Sequence, residues 1–173
     1  MKYEDLKCFA NKLAKELDCG KSSLRIFGND GLFLDEEPYE SDYNSTPNNS
    51  LTFATTGGDG VHFGFVTEEG TFGVDSAIVM TVPMNFGNGN VIVGASLKEF
   101  IELGIYFGYF DLEQLSYDFE TTSMEIDEAK ERKRSIELDA LSAEFDLKPW
   151  KNARSRLDEL REQYYHILDI QDE

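Results

Sequence analysis

With 173 residues, 40% of them hydrophobic and 13% aromatic, this chain can bury one sizeable core, which excludes a disordered acidic tail despite a net charge of −18. No apolar run approaches the roughly 20 residues that span a bilayer, and the charge-interrupted N-terminus MKYEDLKCFANKLAKEL lacks a signal-peptide core. The acidic excess repels anionic lipid and phosphate alike, so the expectation is a cytoplasmic protein with no membrane contact and no direct nucleic-acid ligand.

The charge is unevenly placed. Between Arg25 and Lys98 there is no Lys or Arg, where about 6 or 7 would be expected from the average of the chain. The same stretch holds Asp30, Asp35, Glu36, Glu37, Glu40, Asp42, Asp59, Glu68, Glu69 and Asp75. A one-signed field of this kind attracts basic proteins at long range, although acidity for solubility alone is an equally ordinary cause.

Taken in chain order, Tyr3, Leu6, Phe9, Ala10, Leu13 and Leu17 recur at three- and four-residue spacing, which predicts an amphipathic helix stopped by Gly20. Leu24 to Phe27 reads as a short strand, and residues 28–50, rich in Gly, Asn, Asp, Ser and Pro, as a long polar loop. Residues 51–94 read as an antiparallel sheet. Leu51–Thr55 and Val61–Val66 alternate around the Gly57-Gly58-Asp59-Gly60 reversal. Ala77–Val82 is apolar on both faces and belongs in the sheet interior, and Pro83 ends its ladder before a turn into Val91-Ile92-Val93.

Ser96-x-x-Glu99 is a capping box opening a helix with Leu97, Phe100 and Ile101 inward, and Asp111-x-x-Gln114 opens a shorter one. Residues 120–173 carry 15 acids and 9 bases, a mixed-charge helical composition. Thr122-x-x-Glu125 reads as a cap, Glu128 and Arg132 as a favourable i,i+4 pair, and Leu138, Leu141 and Phe145 as the apolar edge of that helix. Pro149 then begins a last helix whose Trp150, Ala153, Leu157, Leu160, Tyr164 and Ile167 form a seam, packed on the sheet or on a second copy of the chain. The predicted class is α+β: an N-terminal helix, a central antiparallel sheet of about five or six strands, and C-terminal helices. Residues 1–119 form the main unit and 120–173 a charged α-hairpin on it.

Chemical motifs are sparse. The glycine run at 57–60 lacks the Gly-Lys-Ser/Thr ending of a phosphate loop. Asp59 and His62 could pair as acid and base, but no activated nucleophile accompanies them. Cys8 and Cys19 fit no metal or redox spacing, and a disulfide between them would need the first helix to break. Asp42-x-Asn44-x-Thr46 starts like a calcium loop, but Pro47 stands where glycine is required. No cofactor, metal or catalytic residue is therefore expected. The strongest interaction candidate is Asp35, Glu36, Glu37, Tyr39, Glu40, Asp42 and Tyr43, where tyrosines offer rigid contact area and carboxylates pair with Lys or Arg.

The series LTFATTGGDGVHFGF, AIVMTVPMNFGNGNVIVGASLKEFIELGIYFGYFDLEQLSYD, over about residues 51–118, resembles the SUKH superfamily of bacterial immunity proteins and fungal regulators of cell-wall synthesis. Its usual Leu-Pro-x-x-Tyr opening and Asn-Gly-Gly turn near the first helix are absent. The resemblance implies an α+β fold and a non-enzymatic, cytosolic role, neutralising a basic toxin protein such as a nuclease by tight binding. The alternatives are a regulatory or scaffold protein that forms a homodimer through the C-terminal helices, and a small-ligand or Ca²⁺-binding domain under the acidic loop.

Overall fold

A computed structural model describes residues 1–18, 20, 22–129 and 134–170. Helix α1, Tyr3–Glu16, buries Tyr3, Leu6, Phe9, Ala10 and Leu13, the stripe expected from the spacing. The Lys2 amide donates to Asp5 Oδ2 at 2.8 Å and caps its start. Leu17 lies beyond the helix and is exposed, and Asp18 and Gly20 take positive φ as the chain turns away. The Cys8–Cys19 question and the Glu128–Arg132 pair involve positions outside the described residues.

Five strands follow: β1 Phe33–Tyr39, β2 Ser50–Thr55, β3 His62–Val66, β4 Ile78–Thr81 and β5 Asn90–Gly94. They form an antiparallel meander in sequence order, β1-β2-β3-β4-β5. The sheet is smaller at one expected place and larger at another. Residues 23–25 form a 3₁₀ turn rather than a strand, and β1 runs through the stretch read as loop. As expected, β4 lies inside the sheet with all four residues buried. The 57–60 reversal uses positive φ at Gly57, Asp59 and Gly60.

Alternation along the strands divides the core. Phe53, Phe63, Phe65, Ile78, Met80 and Val93 join α1 and helix α2 (Leu97–Phe107) in the larger cluster. Within it Phe53 and Phe65 lie 4.4 Å apart by ring centroid, Phe63 and Phe100 4.7 Å, and Phe100 and Tyr109 5.4 Å. Val66, Ala77, Val79 and Ile92 form a second cluster with Leu160 on the other face.

Ser96 caps α2 by accepting from the Glu99 amide at 3.3 Å, while Glu99 Oε2 accepts from Ala95, one residue earlier than a capping box would place it. Beyond α3, Gln114–Tyr117, the predicted hairpin is three helices: α4 Phe119–Glu128, α5 Ile136–Phe145 and α6 Ala153–Tyr164. Asp118, not Thr122, caps α4, accepting from Thr121 at 3.0 Å, and Thr122 is buried inside the helix. Ser135 caps α5 at Leu138 and also donates to Asp30 Oδ2 at 2.8 Å. Pro149 lies ahead of α6, which starts where the Ala153 amide donates to Asp127 of α4 at 2.7 Å. Ala153, Leu157 and Leu160 are buried within the chain, so this seam packs on β5 and α4, whereas Ile167 is exposed. Among the described residues no helix is long and apolar enough to cross a membrane.

Candidate partner-binding surface

The predicted acidic segment is held on an edge strand. Asp35, Glu36, Glu37 and Tyr39 belong to β1, and Glu40, Asp42 and Tyr43 continue from its end. Leu34 pairs with Ala54 and Tyr39 with Thr52, so β1 carries extra residues that bulge out between them. The Tyr3 hydroxyl fills the opened ladder, 2.5 Å from the Asp35 carbonyl and 2.9 Å from that of Phe53. Burial and the nearby Asp35 carboxylate push that phenol well above its ordinary range.

The bulge sorts the acids. Asp35 turns partly inward, its buried Oδ2 has no hydrogen-bond partner, and burial raises its carboxyl above the usual range. Glu36, Glu37, Glu40 and Asp42 are exposed, as are Tyr39 and Tyr43. Lys7 from α1 donates to the Glu36 carbonyl and lies 3.9 Å from its carboxylate. Pro38 and the bulge deny a clean edge to a further strand, so this edge presents side chains and not an open ladder.

Tyr43 is positioned by His62. Their rings stack at 5.6 Å with 21° between planes. His62 Nδ1 donates to the Gly60 carbonyl at 2.7 Å, which leaves Nε2 of the neutral ring to accept from the Thr46 hydroxyl at 2.9 Å. Both nitrogens are thus engaged by groups other than Asp59, which is exposed on the turn, and the acid–base pairing read from the sequence is not formed. Burial holds the imidazole below its ordinary value.

A folded-state value lowered in this way means the unfolded chain binds the proton first. Stability is therefore fully present above the ordinary value of 6.5 and is lost as the pH falls from there towards the lowered one. The urea midpoint of the wild type should drop more steeply between about pH 7 and 5 than that of His62→Gln. Parallel slopes would show that His62 does not carry this dependence. Asp35 and Glu102, whose carboxyls are raised by burial, contribute with the opposite sign and equally in both proteins.

Next to Tyr43 lies a groove of about 600 Å³ that sequence reasoning did not single out. Its walls are the 43–45 loop, the β4–β5 turn with Pro83, Asn85 and Phe86, and the C-terminal segment with Tyr165 and Ile170. Among the described residues none that lines it is charged. Asn90 ties the first wall by donating to the Ser45 carbonyl at 2.9 Å, and Asn85 ties the second by donating to that of Ser116 at 2.6 Å. The third is strapped down by Asp169 bonds to Asn48 and Asn49, each 2.8 Å. On this frame Phe86 is 72% exposed, and Met84, in the same turn but not lining the groove, is 65% exposed. Two large apolar residues inside a Pro-to-Asn turn, where polar residues are usual, were the available sequence signal.

Fold and surface together define the class: an α+β protein with an acidic edge strand that runs into a neutral, aromatic-walled groove. Comparison with protein-family models, with curated proteins and with solved structures finds no match to this chain. Among the described residues no group of three or more His, Cys, Asp or Glu is arranged to hold a metal ion.

Proposed function

We propose that this chain is a non-enzymatic, cytoplasmic immunity-type protein that binds and neutralises a basic toxin protein, a nuclease being the favoured class. The observation that carries this reading is the acidic edge: exposed Glu36, Glu37, Glu40 and Asp42 beside exposed Tyr39 and Tyr43, in a stretch without Lys or Arg from residue 26 to 97, with Lys7 of α1 beside Glu36 alone among them. Proteins that grip phosphate carry basic faces, and an acidic surface can be steered onto such a face and cover it. The resemblance of residues 51–118 to SUKH immunity proteins points the same way. Leu157 and Leu160, which a helix-mediated dimer would use, are buried within the chain, which favours the acidic edge over the scaffold reading.

The test is capture of a basic protein encoded beside this one, toxic when expressed alone and harmless when co-expressed. With that partner in hand, the variant E36K/E37K/E40K/D42K should slow association roughly tenfold or more at low ionic strength and leave dissociation much less changed. Association that ignores both the reversal and added salt would remove the acidic edge from the interface.

A further inference from the structure

We propose that the neutral groove beside Tyr43 is the anchoring half of the interface, receiving an apolar or aromatic side chain carried on a basic segment of the partner. This rests on the binding reading above and adds to it a second surface with a separate task. Glu36, Glu37, Glu40 and Asp42 are exposed, so they attract a partner without fixing it. Affinity in protein interfaces comes mainly from a few apolar or aromatic groups seated in prepared recesses. The groove has that character. Three wall segments are each cross-linked to a different part of the fold, by Asn90 to Ser45, Asn85 to Ser116, and Asp169 to Asn48 and Asn49.

Walls already fixed lose little entropy when something binds between them. Yet the frame leaves Phe86 and Met84 largely in water, an arrangement that folding does not explain because neither residue reaches the core. Charge selects the occupant. Tyr43 lines both the groove and the recess at Tyr39, Asp59 and His62, so the two surfaces are continuous there. Asp42 flanks that junction and Asp169 lies on the strap, while among the described residues none that lines the groove is basic. A cationic segment is welcome around the groove, and its apolar side chain is welcome within it.

The probes are two fluorescein-labelled peptides of alternating Lys and Gly, one with a central Trp and the other with Ser in its place. They are titrated into the full chain at low and moderate salt. The Trp peptide should bind the wild type roughly tenfold to thirtyfold more tightly than the Ser peptide. Phe86→Ser and, separately, Ile170→Ser should shrink that ratio while leaving the salt dependence of both peptides intact. Both positions are exposed, so these variants stay folded, which a circular dichroism spectrum checks.

Equal binding of the two peptides, still weakened by salt, would overturn the groove and leave the acidic-surface reading standing. No binding of either peptide at low salt would overturn both. Sedimentation of the full chain covers the other occupant: a concentration-dependent dimer dissolved by Phe86→Ser would assign the groove to a second copy and overturn the proposal.

Discussion

Gly104→Ala should destabilise the protein by about 3 kcal/mol, the reverse of what this substitution does on an open helix face. Gly104 lies buried in α2, and a methyl group there would fall into the ring of Tyr109, with Cζ only 2.5 Å away. Tyr109 cannot step aside cheaply. It is fully buried, packs on Phe100 at 5.4 Å, and donates its hydroxyl to the Ile101 carbonyl at 3.1 Å. Moving it would disturb the aromatic cluster on the larger face of the sheet and leave a buried hydroxyl unpaired. Urea unfolding gives the comparison, with Gly73→Ala as control because nothing lies within 4 Å of a Cβ placed there. A raised midpoint for Gly104→Ala would mean that the Tyr109 packing is not as described.

The sequence reading succeeded where burial imposes a simple period. The α1 stripe, the hairpin at 57–60 and the doubly apolar β4 were all legible, because one face or both must be apolar for each to pack. Strand β1 was not. Its residues Phe33-Leu34-Asp35-Glu36-Glu37-Pro38-Tyr39 include three acids and a proline, and the bulge breaks the alternation a strand is recognised by. Ile26 and Phe27 are both completely buried, and two adjacent apolar residues fit a tight turn as well as a strand. In the C-terminal region Thr122 was read as a cap, and the helix is capped instead by Asp118, four residues earlier. The buried environment of Thr122 decides between them, and local sequence does not contain that information.

The surface was half legible for related reasons. Charge accumulates along the sequence, so the acids of β1 stood out without a structure, and so did the tyrosines among them. Which acids are exposed did not, since the bulge turns Asp35 inward while Glu36 and Glu37 remain exposed. The groove is assembled from residues as distant as Tyr43, Phe86 and Ile170, and no window of sequence brings those together.

The node at Glu99 should give the second large loss. Its carboxylate accepts from the Ala95 amide at 2.6 Å and from Arg156 Nε and Nη2 at 2.7 and 3.3 Å. Its carbonyl accepts from the Trp150 indole at 3.2 Å. The carboxylate thus closes the start of α2 and clamps α6 onto it, and the paired carboxylates of Glu99 and Glu159 hold the Arg156 guanidinium more basic than usual. Removing the charge with Glu99→Gln should cost about 2 kcal/mol, below the range for a fully buried pair because Arg156 keeps a third of its side chain in solvent.

In a double-mutant cycle with Arg156→Gln the coupling should be roughly 1 to 2 kcal/mol and persist at high salt. The Lys98–Glu102 pair at 4.0 Å on the face of α2 should give only about 0.3 kcal/mol and fade. Equal couplings for the two pairs would show that the clamp is no more than a surface ion pair. The clamp also bears on the groove, because α6 leads into the strap at residues 165–170. Hydrogen exchange in Glu99→Gln should therefore accelerate along the strap amides of Leu168 and Asp169 before it does in β3 and β4.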